Sequence, residues 1–123
     1  MTDGKPKRYD LEDRTFEFAK NVRTLVRRLP RTLTNMEDVK QLVRATGSVA
    51  ANDIEANEAL SKKDFVMRAK ICRKEAKESR LFLRLIDSGS KPELETERGV
   101  LIQEATELTS IFGAIVRKAE GQR

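Results

Sequence analysis

Apolar residues return every three or four positions along this chain, in four stretches separated by helix breakers. Phe18, Val22, Leu25 and Leu29 form the first series; Val39, Leu42, Val43, Val49 and Ala50 the second; Phe65, Ala69, Cys72, Ala76, Leu83 and Ile86 the third; Leu94, Leu101, Leu108 and Ile115 the fourth. That spacing gathers each series on one face of an α-helix. The punctuation agrees with the periodicity. Asp10 can cap the first helix, which must end before Pro30. Asn35 can cap a second helix that runs to about Leu60. Ser61 and Asp64 form an S-x-x-D capping box for a third, which stops near Asp87 before Gly89. Pro92 suits the first turn of a fourth, which runs to about Glu120 before Gly121.

Four long helices with short connections predict an all-α, antiparallel up-down four-helix bundle. The expected organisation is a flexible basic tail over 1–9, a single bundle domain over 10–120 and a short tail over 121–123. At 123 residues there is material for one core and no second module. Function must therefore lie on the surface of this unit or on surfaces made by copying it.

The third helix carries more apolar surface than one core needs. Met67, Ile71, Phe82 and Leu85 fall on the side away from Phe65, Cys72 and Ile86, and Val100 and Ile111 widen the apolar arc of the fourth helix. Isolated surface hydrophobes are common. Several large ones aligned on one face instead mark a partner surface, so Met67, Ile71, Phe82 and Leu85 are the candidate oligomer interface.

Composition removes whole classes of chemistry. The chain has no histidine and one cysteine, Cys72. This excludes His-based acid–base catalysis, Ser-His and Cys-His nucleophiles and histidine metal ligands. Cys72 sits on the inner stripe and reads as a small buried hydrophobe, with no partner for an internal disulfide. The start, "MTDGKPKRYD", lacks the apolar stretch of a signal peptide, and no run reads as long enough to span a bilayer. The expectation is a cytoplasmic protein with no membrane contact, no catalytic residues, no metal and no cofactor.

Charge is divided by helix. Lys and Arg outnumber Asp and Glu six to four over 10–31 and nine to four over 61–87, while the order reverses to two against five over 34–60 and three against six over 93–120. Odd and even helices are neighbours in an up-down bundle, so part of this serves helix–helix or subunit attraction. Placement points further. Lys70, Arg73, Lys77, Arg80 and Arg84, spaced alternately three and four residues apart, line up as a ridge on the third helix. Lys20, Arg23 and Arg27 form a second row on the first, with Phe16 at its end. Such ridges can neutralise phosphates, and an exposed aromatic can stack on a base, so these eight cations are the candidate nucleic-acid contacts. The plainer alternative is a solvated face.

The stretch "AANDIEANEA", Ala50 to Ala59, holds the other polar cluster. An enzyme would use Asp53, Glu55 and Glu58 as metal ligands or as an acid–base pair. With no histidine and no Gly-rich phosphate loop, a buried network that sets helix register is the better reading.

"GSVAANDIEANEALSKKDFVMRAKICRKEAKESRLFLRLI", Gly47 to Ile86, closely resembles the bacterial family of 23S rRNA intervening-sequence proteins, and "FAKNVRTLVRRLP", Phe18 to Pro30, is similar to the first helix of that family. The match extends to small and polar residues of the second helix; the fourth helix is compatible but less distinctive. The resemblance implies a four-helix bundle, a homopentameric ring, and kinship with accessory proteins of diversity-generating retroelements, which are thought to engage RNA and a reverse transcriptase. It supplies no catalytic residues. The expectation is a non-enzymatic, ring-forming protein that binds RNA, DNA or a ribonucleoprotein through the ridges. The alternative is a homo-oligomeric scaffold for a protein client, with no nucleic-acid contact.

Overall fold

A computed structural model describes residues 7–121, with side chains from Leu11 onward. It consists of four helices in chain order: α1 Lys7–Val26, α2 Leu33–Asn57, α3 Lys62–Leu85 and α4 Pro92–Gly121. There is no strand among the described residues. Helix α1 packs on α2 and α4, α3 packs on the same two, and the diagonal pairs do not approach. Cross-helix pairs run in opposite senses along every seam: Glu12 with Asn57 and Arg23 with Val43 between α1 and α2, Arg44 with Glu75 and Asn52 with Arg68 between α2 and α3, Lys70 with Glu120 and Leu83 with Arg98 between α3 and α4, and Arg14 with Glu104 and, just past the end of α1, Arg28 with Glu97 on α4. The architecture is the expected antiparallel up-down bundle.

The four apolar stripes meet in one core. Phe18, Val22, Leu25, Leu42, Val49, Cys72, Ala76, Leu83, Leu94, Leu108 and Phe112 are buried in it, while Val26, Val39 and Ile115 pack against its edge. Phe112 and Val116 extend the α4 stripe beyond the four positions read from the sequence. By length and composition Pro92–Gly121 could also cross a bilayer, against the expectation that no segment would. In the bundle its Leu94, Leu101, Leu108, Phe112 and Val116 face the other helices.

The helix ends show how local chemistry was redistributed. Ser61 caps α3 as expected, its hydroxyl accepting the Asp64 amide at 3.0 Å. The Asp64 carboxylate lies 3.7 Å from Arg68 Nε, one turn along. Helix α2 starts earlier than expected because Thr32 is the cap, accepting the Asn35 amide at 3.1 Å. The Asn35 side chain, relieved of capping, is buried and binds both loops at that end of the bundle. Helix α1 begins at Lys7 rather than Asp10, and α4 continues through Gly121. The remainder of the expected tails, residues 1–6 and 122–123, lies outside the described residues.

Between α3 and α4 the chain turns through Gly89 at φ 72° and Ser90 at φ 64°. Glycine takes the left-handed region without strain, whereas Ser90 adopts it against its side chain. The turn is held by the Asp87 carboxylate, which accepts the Gly89 amide at 2.9 Å, and by a hydrogen bond from the buried Ser88 hydroxyl to Glu95. A methyl at Gly89 would stand 3.1 Å from Pro30, so the two loops at this end touch.

Candidate nucleic-acid interface

The basic ridge of α3 follows from its periodicity. With Ala69, Cys72, Ala76, Ser79 and Leu83 turned into the core, Lys70, Arg73, Lys77, Arg80 and Arg84 are carried to the flank that faces α4. Along that ridge the charges are not equivalent. Lys70 is bound to Glu120 of α4 at 2.8 Å, and this hydrogen bond, then the charge of Lys70, holds the Glu120 carboxyl below its usual range. Arg73 is half-buried against α4 near Gly113. Lys77, Arg80 and Arg84 are exposed, and no carboxylate among the described residues pairs with them.

The α1 row separates into individuals. Lys20 is exposed, with its ammonium 5.9 Å from the centroid of the exposed Phe16 ring, at the outer limit of a cation–π contact. Arg27 is exposed just beyond the last turn of α1. Arg23 departs from the expectation. Its guanidinium turns into the α1–α2 seam, donating to the Ala19 carbonyl at 2.9 Å, the Val43 carbonyl at 3.2 Å and the Thr46 hydroxyl at 3.3 Å. Space for it comes from Gly47, where a methyl would stand 3.2 Å from the guanidinium. Arg23 is therefore a helix–helix fastener and is removed from the set of candidate phosphate contacts.

The apolar candidates also divide. Met67 and Leu85 are 48% and 55% exposed, whereas Ile71 is half-buried and Phe82 packs against the core. Phe82 belongs to the bundle because it sits at the edge of the inner stripe, next to Leu83 and Ile86. Sequence reasoning passed over Leu81, which is 46% exposed. The signal was present: Met67, Ile71, Lys74, Glu78, Leu81 and Leu85 alternate four and three residues apart, the spacing of a coiled-coil seam. Further large apolar side chains are exposed on α2, namely Leu33, Met36 and Ile54.

The acidic cluster of α2 does not converge. Asp53 is buried toward α3, while Glu55 and Glu58 are exposed on other faces. Among the described residues no three acidic or thiol groups come together as metal ligands would. What the segment builds is a polar seam: Arg68 donates to Asn52 at 3.0 Å, and Asn52 in turn donates to Ser48 at 3.0 Å. Cys72 lies next to it, its thiol 3.6 Å from the Val49 carbonyl. Burial first, and the Asp53 charge second, push that thiol up to about 12. A neutral, enclosed thiol is a packing group and a poor nucleophile.

Open troughs do exist, one at the α3 start lined by Ser61, Lys62, Met67, Lys70 and Glu120, another along α1 and α4 lined by Arg14, Glu17, Gly99, Val100 and Glu104. Both are surface hollows. The molecule thus falls in the class of small up-down four-helix bundles. More narrowly, the chain belongs to the 23S rRNA-intervening sequence protein family, which its residues 7–112 match. A similar fold is seen in the crystal structure of a protein of unknown function from the S23 ribosomal protein family of Bacteroides thetaiotaomicron VPI-5482. The two chains are 27% identical with a TM-score of 0.73, over 86% of this chain and 97% of that one. No curated protein matches the chain.

Proposed function

We propose that this protein is a non-enzymatic, ring-forming nucleic-acid-binding protein of the bacterial cytoplasm, contacting RNA or DNA phosphates through the flank of α3. The observation that carries the reading is the state of Lys77, Arg80 and Arg84: three exposed cations on successive turns, unpaired with any described carboxylate. Cations with an intramolecular partner, such as Arg14 with Glu104 and Arg44 with Glu75, have their charge already balanced. Unbalanced ones are available to a polyanion, whose condensed counterions they displace. Lys20 and Arg27 add to the same function from α1. A ring of five copies, the number the resemblance implies, would repeat each ridge and convert weak single contacts into avid binding.

The experiment is retention of labelled RNA and duplex DNA over a salt series, comparing the wild type with Lys77→Gln/Arg80→Gln/Arg84→Gln. Weaker binding across all sequences with a flatter salt dependence supports the reading. Unchanged binding by the variant, or no retention by the wild type at low salt, removes it.

A second reading, a homo-oligomeric scaffold for a protein client, draws on the exposed apolar seam of α3 through Met67, Leu81 and Leu85. It is favoured if the triple variant dissociates into single chains, since the ridge would then be pairing with acidic helices of a neighbouring copy.

A further inference from the structure

The large apolar side chains that the bundle leaves exposed are not scattered. Of the nine among the described residues, seven fall on two faces: Met67, Leu81 and Leu85 on the α3 seam, and Phe16, Leu33, Met36 and Ile54 on α1 and α2. The second group belongs to one side of the molecule. Residues seven apart on a helix are two turns apart and share a face. Phe16 is seven before Arg23, whose guanidinium donates to the Val43 carbonyl of α2. Met36 is seven before Val43, and Ile54 is seven after Gly47, the position that makes room for Arg23. All three therefore border the line where α1 meets α2, and Leu33 lies one turn from Met36.

The two faces match in height along the bundle. Asn57 of α2 donates to Glu12 of α1, which puts Phe16, one turn on, beside Ile54. Asn52 of α2 accepts from Arg68 of α3 at 3.0 Å, which puts Met67 at that same level. Toward the other end Arg44 of α2 meets Glu75 of α3. Met36 is eight residues before Arg44 and Leu83 eight after Glu75, so Met36 is level with Leu81 and Leu85. Each face thus runs apolar, polar, apolar along the bundle axis. Lys74 and Glu78 occupy the middle of the α3 seam, and Lys20 and Lys40 the middle of the α1–α2 face. Charge differs at one end. One turn before Met67 the seam begins at Lys63, and one turn beyond Ile54, at the C-cap of α2, stands Glu58. Both are exposed, and neither is ion-paired among the described residues.

We propose that the α3 seam of one copy packs on the α1–α2 face of the next, side by side and pointing the same way. Met67 then meets Phe16 and Ile54, Leu81 and Leu85 meet Met36 and Leu33, and Lys63 meets Glu58, a pairing of opposite charges at the rim. The contact is heterologous, because each copy offers two different patches. The seam opens on the α2 side of α3, since its Glu78 binds Arg44 at 2.9 Å, so the patches lie on the adjacent α1–α2 and α2–α3 sides of the bundle. Patches on adjacent sides turn each successive copy through a large angle, which closes a small ring; patches on opposite sides would run on as a filament. The inference rests on the ring-forming part of the function proposed above and names the surface that receives the seam. It also leaves the nucleic acid its site, because Lys77, Arg80 and Arg84 lie on the α4 flank of α3, outside both patches.

The test is complementation between two damaged full-length chains, read by light scattering, with the helical signal as a check on folding. Leu81→Lys/Leu85→Lys removes the seam and Met36→Lys/Ile54→Lys removes the α1–α2 face, so each alone should run as a single chain of 14.0 kDa. Mixed in equal amounts, the two should form a complex of twice that mass and no larger, because one intact seam and one intact face remain between them. If Met36→Lys/Ile54→Lys assembles as the wild type does, the seam has another partner: the inference fails and the ring reading stands. Two variants that stay single on mixing overturn it equally. A wild type that is monomeric at micromolar concentration overturns the ring reading along with it. Should the α1–α2 variant fail to fold, Lys63→Glu and Glu58→Lys take its place. Each reversal should weaken assembly severalfold and their mixture should restore it, and assembly indifferent to both reversals overturns the pairing.

Discussion

Asn35 and Asp87 are 52 positions apart and make two hydrogen bonds: the Asn35 amide nitrogen donates to the Asp87 carbonyl at 2.8 Å, and its oxygen accepts from the Asp87 amide at 2.9 Å. The same nitrogen also donates to the Pro30 carbonyl at 2.9 Å. One buried side chain thus satisfies backbone groups from the α1–α2 loop and the end of α3, groups that have no helical partner of their own. Asn35→Ala should cost about 3 kcal/mol, since three bonds are lost and the groups left behind are shielded from water. Urea unfolding of the variant, with the α-helical signal of the native state retained, checks this. A change below about 1 kcal/mol would mean that water replaces the amide freely.

Arg23 is expected to be a stability residue and a spectator in binding. Arg23→Gln withdraws donors from two carbonyls and a hydroxyl at the α1–α2 seam and should lower stability by about 1–2 kcal/mol. Its nucleic-acid retention at low salt should match the wild type within about twofold. A loss of binding comparable to that of the α3 triple variant would return Arg23 to the interface.

Cys72 provides a pH-dependent prediction. Its folded pKa is raised, from 9.0 to about 12, so the thiol contributes stability that is fully present below about pH 9 and is lost as pH rises toward 12. Cys72→Ala should be less stable by about 1 kcal/mol at neutral pH, through the removed sulfur and the small cavity. That gap should narrow between about pH 9 and pH 12. Native protein at about pH 8 should react with a thiol reagent far more slowly than urea-unfolded protein, and equal rates would contradict the enclosed position.

The α3 seam predicts assembly. Light scattering of the purified chain should give several times the 14.0 kDa chain mass. Leu81→Lys/Leu85→Lys should reduce the mass toward that of one chain while leaving the helical signal intact, because both side chains are exposed in the single bundle. A wild type that remains monomeric at micromolar concentration would leave the seam as ordinary surface.

Secondary structure and the core were legible in the sequence because helical periodicity and capping chemistry are local. Val22, Leu42, Cys72, Leu83 and Leu108 could be placed inside by spacing alone, and Ser61 could be named as a cap from its neighbours. The ridge on α3 was legible for the same reason, as a pattern within one helix. The state of each charge was not. Whether Arg23 faces solvent or the α1–α2 seam depends on Gly47, on the neighbouring helix, and whether Lys70 is balanced depends on Glu120 at the far end of α4. Asn35 looked like a cap because its own segment asks for one. Thr32 took that role once the two loops came close enough for the amide to bind both. Helix positions and inner faces are decided by backbone geometry and short-range hydrophobic spacing, which a single stretch of chain contains. Partners across seams are decided by how the helices rotate and slide to fill the core, and only the tertiary structure brings those residues within hydrogen-bonding distance.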